Sequence, residues 1–237
     1  MTSSLSSRAP IAVAMDAPNL SVLREWTSAV APHVSTVKVG LEVFCRDGAA
    51  AVHAAREAAD AAGGIDLFLD LKLHDIPATV AGAAAAVADL DPAYLTVHAS
   101  GGAEMIAAAV AALPQTRITA VTVLTSLDEA ALRQIGLEGT PQDAAVRLAV
   151  LAVAAGARAV VCSPQEVAAI RASVGPNITL ITPGVRPDGA DLGDQKRVAT
   201  PAQAIADGAD LLVIGRPITA SPDPARAVRD IAQSLTA

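Results

Sequence analysis

The sequence predicts a single (βα)8 barrel, the TIM barrel of the α/β class, on three observations. Short β-branched runs alternate with alanine-rich stretches from end to end, eight such runs can be counted, and 237 residues suit eight βα units. Unbroken alternation requires parallel strands with right-handed crossovers, which leaves an open doubly wound sheet or a closed barrel. No G-x-G-x-x-G follows the first strand, and Gly63-Gly64 precedes a strand rather than following one, so the barrel is favoured. No composition break divides the chain, and one domain is expected over residues 10–237. Residues 1–9 read as a flexible tail, because MTSSLSSRAP lacks the apolar core of a signal peptide.

The strands are expected at 11–16 (IAVAMD), 36–42 (TVKVGLE), 66–72 (DLFLDLK), 94–99 (YLTVHA), 118–125 (ITAVTVLT), 158–163 (RAVVCS), 178–185 (ITLITPGV) and 211–217 (LLVIGRP). Apolar residues at three- and four-residue steps predict amphipathic helices between them: Leu20, Leu23 and Val30; Met105, Ile106, Val110 and Leu113; Val146, Leu148, Leu151 and Val153; Val228, Ile231 and Leu235. Ser126 followed by Glu129 fits a capping box, and SGGAE at 100–104 marks a tight strand-to-helix turn.

Composition excludes several functions. A net charge of −7 without a Lys/Arg block argues against nucleic acid or an anionic membrane as partner, and 2% aromatic residues provide few stacking platforms. The apolar fraction of 52% owes much to alanine, and uncharged runs such as 172–185 fall short of the ~18 residues that span a bilayer. Cys45 and Cys162 form no disulfide framework, which suits a reducing, cytoplasmic location, and both are expected to be packing residues. The four histidines and two cysteines show no metal-ligand spacing, so no metal site is expected.

In a (βα)8 barrel the chemistry sits at the C-terminal strand ends. Those ends carry Asp16, Lys38, Asp70 with Lys72, His98, Thr125 with Ser126, Ser163, Arg186, and Gly215 with Arg216. On the third strand, period two puts Phe68, Asp70 and Lys72 on one face and Leu67, Leu69, Leu71 and Leu73 on the other. The leucines face the helix layer, so Asp70 and Lys72 point into the barrel mouth, where a buried charge is costly unless paired or used. An ion pair with Asp75 as a helix N-cap is one account. Lys38 on the neighbouring strand end favours another, an alternating Asp/Lys array that keeps a lysine charged and aimed.

After the seventh strand, RPDGADLGDQKRVA at 186–199 has no period, as expected of a lid or binding loop. Loops after strands seven and eight of such barrels often bind phosphate, and Gly184, Arg186, Gly215 and Arg216 are suitable residues. Arg216 is a phosphate-ligand candidate because a guanidinium forks onto two oxygens, although a surface arginine at a strand end is the plainer account. His98 is either a substrate contact or a satisfied rim histidine. His33 and His53 fall in helical segments, and His74 has the wrong parity for a role beside Lys72.

With D-x-K-x-x-D in DLKLHDIPAT at 70–79, KVG at 38–40, VTVLTS at 121–126, TPGVRP at 182–187, GDQ at 193–195 and IGRPI at 214–218, the chain resembles the orotidine 5′-phosphate decarboxylase family. The resemblance implies decarboxylation of orotidine 5′-phosphate to uridine 5′-phosphate, the last step of de novo pyrimidine biosynthesis, without metal or cofactor. It implies that Lys72 protonates C6 as carbon dioxide leaves, that Asp70 lies beside the departing carboxylate, and that Lys38 and Asp75 complete the array. Asp16 would bind ribose hydroxyls, Thr125 and Ser126 the pyrimidine, Arg186 and Gln195 would belong to the lid, and Gly215 with Arg216 would hold the phosphate. It further implies a homodimer in which Asp75 and Thr79 serve the partner's site. Ala78 stands where relatives often carry Asn. Related metal-dependent sugar-phosphate decarboxylases and aldolases share D-x-K-x-x-D, and a silent nucleotide-binding barrel is a rival of another class.

Overall fold

The computed structural model describes residues 8–185 and 199–235. Eight parallel strands, β1 Ala9–Ala14, β2 Val34–Gly40, β3 Asp66–Leu73, β4 Tyr94–His98, β5 Arg117–Val121, β6 Ala159–Val161, β7 Thr179–Thr182 and β8 Leu211–Ile214, pair in sequence order and close through β1 and β8. Around them lie α1 Leu20–Val30, α2 Leu41–Asp47, α3 Ala49–Ala59, α4 Pro77–Ala86, α5 Gly102–Ala112, α6 Glu129–Gln134, α7 Pro141–Ala154, α8 Val167–Val174, α9 Pro201–Ala206, α10 Arg216–Thr219 and α11 Pro224–Ser234. This is the predicted TIM barrel, strand for strand. Among the described residues no helix is long and apolar enough to cross a membrane.

Strand parity sorts the interior. Ala12, Phe68, Tyr94, Ala159, Ile181 and Leu211 fill the barrel, while Leu67, Leu69, Leu95, Val97 and their counterparts pack against the helices. Phe68 and Tyr94 meet at 5.7 Å between ring centroids, in the tilted arrangement aromatic pairs prefer. The barrel is therefore plugged by side chains, and only its ends are open to ligands.

Several local expectations are corrected. The strands end earlier than the apolar runs suggest: β5 stops at Val121, β7 at Thr182 and β8 at Ile214, because the following residues leave the ladder to build the mouth. β1 starts at Ala9, paired with Val34, inside the segment expected to be tail, and the Arg8 guanidinium donates to the Gly64 carbonyl at 2.6 Å. The capping box expected from Ser126 and Glu129 does not form. Asp128 caps α6 instead, accepting from Ala131 N at 3.0 Å, because it sits directly before the first helical residue.

In α7 the buried residues are Ala144, Ala145, Ala149 and Ala152, not the Val146, Leu148, Leu151 and Val153 stripe. The small alanines let the helix lie close to its neighbours, leaving the larger side chains on its flanks. His33 lies in the turn before β2, where Arg229 approaches its ring at 3.3 Å, while His53 is in α3 as expected. Cys162 is a buried packing residue, but Cys45 is exposed on α2, so the packing assignment fails for it.

Candidate active site

The C-terminal ends of the strands enclose a cleft of about 640 Å³, within the range of small-molecule sites. It is lined by Asp16, Lys38, Asp70, Lys72, Thr125, Ser126, Gly184, Gly215 and Arg216, among others. Nine strand-end residues singled out from the sequence thus meet in one place. The two clefts at the opposite end are half that size, at about 320 and 310 Å³, and carry none of them.

At the cleft floor, Asp70 is flanked by two ammonium groups. Lys72 Nζ donates to Asp70 Oδ1 at 2.8 Å, Lys38 Nζ lies 3.3 Å from Asp70 Oδ2, and Asp16 Oδ1 is 4.0 Å from Lys38 Nζ. Lys38 and Asp70 are 8% and 9% exposed, so these charges interact through a poorly screened medium. Burial alone would push the Asp70 carboxyl up. The Lys38 and Lys72 charges, with hydrogen bonds from Lys72 and Thr96, reverse that and hold it below the ordinary carboxylate range.

β3 does not reach this arrangement as a regular strand. Its register with β4 runs Phe68 to Tyr94 and Leu69 to Leu95, then jumps to Leu73 with Val97, so Asp70, Leu71 and Lys72 stand opposite the single residue Thr96. Lys72 takes φ of +50°, a left-handed conformation uncommon for a residue with a side chain. The hydroxyl of buried Thr96 occupies the bulge: it accepts from Lys72 N at 2.8 Å and donates to Asp70 Oδ1 at 3.0 Å. Nothing in the sequence marks Thr96, since a threonine inside a strand is an ordinary β residue.

Lys38 depends on the absence of a side chain nearby. A Cβ on Gly40 would fall 2.7 Å from Lys38 Nζ and 3.3 Å from Asp16 Oδ1, so the K-x-G spacing leaves room for the ammonium.

The remaining predicted residues fall in three groups. Thr125 and Ser126 follow β5 and line the cleft, while Gly215 precedes α10 and Arg216 opens it, exposed at the rim. Asp75 and Thr79 are exposed and absent from the cleft lining. Asp75 is not the cap of α4; Ile76 holds that position, and Asp75 Oδ1 accepts from Ile76 N at 2.6 Å. Arg186 and Gln195, with the lid expected at 186–199, lie outside the described residues except for Ala199, which bridges to Val185.

Two other strand-end residues take structural positions. Ser163 is buried and caps the turn after β6, with Glu166 accepting from its backbone N–H at 3.0 Å. His98 packs against His74, with ring centroids 5.4 Å apart, and does not line the cleft. Burial, with the nearby His74 and Lys72, pushes the His98 imidazole below its ordinary pKa despite the opposing Asp70 charge.

Fold and site define a (βα)8 barrel of the enzyme type, with a lysine–aspartate–lysine array at its C-terminal mouth and glycine-bearing loops after β7 and β8. The comparisons with known proteins are specific. Residues 9–231 match the family described as Orotidine 5'-phosphate decarboxylase / HUMPS family, and the chain belongs to it. It is 66% identical over 227 residues to the orotidine 5'-phosphate decarboxylase of Thermobifida fusca, covering 96% of each chain. It is 56% identical over 243 residues to that of Frankia casuarinae, covering 97% of this chain and 89% of the other. A crystal structure of orotidine 5'-phosphate decarboxylase from Lactobacillus acidophilus superposes with a TM-score of 0.83 at 34% identity, covering 97% of this chain and all of that one.

Proposed function

We propose that this single-domain chain, whose barrel begins with β1 at Ala9, is a carboxy-lyase that decarboxylates orotidine 5′-phosphate to uridine 5′-phosphate in the cytoplasm, without metal or cofactor. The observation that carries this reading is the Asp70 carboxylate held between Lys38 and Lys72 at the floor of the cleft. Loss of carbon dioxide from the pyrimidine leaves a carbanion in the ring plane at C6, which the ring π system does not delocalise. The Lys72 ammonium stabilises that charge and supplies the proton, while Asp70 faces the departing carboxylate. Asp70 has both oxygens engaged by cations, an arrangement suited to aiming lysines rather than to ligating a metal.

One ammonium at about 4 Å contributes on the order of 4 kcal/mol at an effective dielectric near 20, whereas enzymes commonly lower barriers by about 8–23 kcal/mol. The balance comes from binding energy remote from the reacting carbon. Gly215 and Arg216 are suited to grip the phosphate, Thr125 and Ser126 the pyrimidine, and Asp16 the ribose, with Arg186 and Gln195 closing over them.

Asp75 and Thr79 are the proposed contributions to a second copy's site in a homodimer. What supports this is their position: they lie at the start of α4, whose ten residues PATVAGAAAA bear no charge although only Val80 and Ala84 are buried, and Ile76 beside them is 66% exposed. An uncharged helix with this much surface in water is suited to cover by another subunit.

The decisive experiment follows the ultraviolet absorbance of orotidine 5′-phosphate in the presence of EDTA. Turnover is expected for the unmodified protein and near-complete loss for Lys72→Ala; an inert unmodified protein overturns the reading, and EDTA-sensitive turnover favours the metal-dependent relatives. Mixing inactive Lys72→Ala with inactive Asp75→Asn is expected to restore turnover through hybrid dimers. No recovery despite demonstrated subunit exchange rules out the shared site.

A further inference from the structure

β3 bends where the chemistry is proposed to occur, and its bend has one side-chain partner on β4. Between the Leu69–Leu95 and Leu73–Val97 pairings, three residues of β3 stand opposite the single residue Thr96. The Leu67 carbonyl accepts from Ala93 N next to β4, so regular alternation would turn the Lys72 N–H towards β2; the bulge turns it to β4 instead, where the Thr96 hydroxyl accepts it at 2.8 Å. The same oxygen donates its hydrogen to Asp70 Oδ1 at 3.0 Å, on the carboxylate oxygen that also receives Lys72 Nζ. The hydroxyl thus accepts once and donates once, in a residue with no exposed surface.

We propose that Thr96 is a positioning residue for the decarboxylation: its hydroxyl ties the left-handed backbone of Lys72 to the Asp70 carboxylate and so sets the angle at which the ammonium enters the cleft. The inference rests on the function proposed above. It accounts for two features that side-chain packing alone does not explain, the placement of the β3 bulge opposite Thr96 and the positive φ of Lys72. Because a displacement of about 1 Å at a reacting group can cost on the order of 100-fold in rate, a hydroxyl that touches no substrate can still govern turnover. The titratable groups around Asp70 are Lys38 and Lys72 with Asp16 on the far side of Lys38 and His98 at the end of β4, and none of them replaces the threonine hydrogen bond.

The test compares Thr96→Val, which keeps the shape, and Thr96→Ser, which keeps the hydroxyl. Thr119→Val is the control, an equally buried residue whose hydroxyl donates to its own strand at the Arg117 carbonyl. Turnover of orotidine 5′-phosphate, melting temperature and amide hydrogen exchange at Lys72 are measured for each. Thr96→Val is expected to lower kcat at least about 10-fold with KM changed less, Thr96→Ser to stay within about 3-fold of the unmodified protein, and Thr119→Val to leave kcat unchanged whatever its melting temperature. The acid limb of the kcat/KM profile is expected to move upward in Thr96→Val only, since Asp70 loses a donor.

Thr96→Val with kcat within about twofold of the unmodified protein, or Thr96→Ser impaired as severely as Thr96→Val, overturns the proposal. Exchange supplies a criterion independent of turnover and of whether the valine variant folds. The Lys72 amide is expected to be protected in the unmodified protein, and an unprotected amide there also overturns it. An inert unmodified protein with a protected Lys72 amide would instead defeat the functional reading and leave the Thr96 tether standing.

Discussion

Asp66 and Asp70 stand four residues apart on β3, share strand parity, and respond to burial in opposite ways. At the N-terminal end, burial raises the Asp66 carboxyl above its ordinary pKa, and the charges of Arg117 and Arg56 offset this only in part. At the C-terminal end Asp70 is more deeply buried, yet its carboxyl is lowered, because two ammonium groups and a hydroxyl lie within direct reach. Depth does not decide the sign of such a shift; the number of donors in contact does. The two ends of one strand thus separate a tolerated charge from an employed one.

The sharpest way to break that contrast is to neutralise each carboxylate in turn. Asp70→Asn is expected to lower kcat for orotidine 5′-phosphate by at least about 100-fold, the scale on which single preorganised electrostatic groups act, while Asp66→Asn stays within about twofold. Comparable losses in both variants would mean that the array at the mouth has no special standing.

Gly40→Ala should give a smaller loss, about 10-fold in kcat, because its methyl must displace the Lys38 ammonium or the Asp16 carboxylate. Full activity would show that Lys38 reaches its working position by another path.

The smallest effect concerns stability. Asp70 has a lowered pKa in the folded state, so its pairing stabilises the protein above the ordinary carboxylate range near 4 and is lost as pH falls through the lowered value. Asp66 has a raised folded pKa, so its ionisation costs stability as pH rises through that value. Asp66→Asn is therefore expected to raise the melting temperature at pH 7 by no more than about 3 °C, with the gain vanishing near pH 3. A gain that persists at pH 3 would assign the effect to packing rather than charge.

The sequence showed the barrel and most of its mouth because both depend on short-range regularity. Period two placed Asp70 and Lys72 inside and the leucines outside, and strand-end position brought Asp16, Lys38, Thr125, Ser126, Gly215 and Arg216 to one cleft. What it hid depends on partners distant in the chain or on competition between similar residues. Thr96 acquires its position only when β4 lies against the β3 bulge. The buried face of α7 is not legible in the pattern of large apolar residues, because alanines occupy both the buried positions and much of the surrounding sequence. Ser126 lost the cap to Asp128 by a shift of two residues. Strand parity also gave the right destination for Lys72 by an incomplete route, since it assumed a regular strand where there is a bulge.

That bulge bears on how the protein could be improved as a material. A left-handed lysine and an interrupted ladder are features that a redesign for heat tolerance would remove first, since each departs from ideal geometry at a cost of about 1–3 kcal/mol for the backbone conformation alone. Straightening β3 would take the Lys72 N–H from the Thr96 hydroxyl that now holds it and reset the backbone from which the ammonium enters the cleft. A more durable barrel made in this way would be a poorer catalyst, so thermostabilising changes belong in the helices and at the barrel floor, with β3 left irregular.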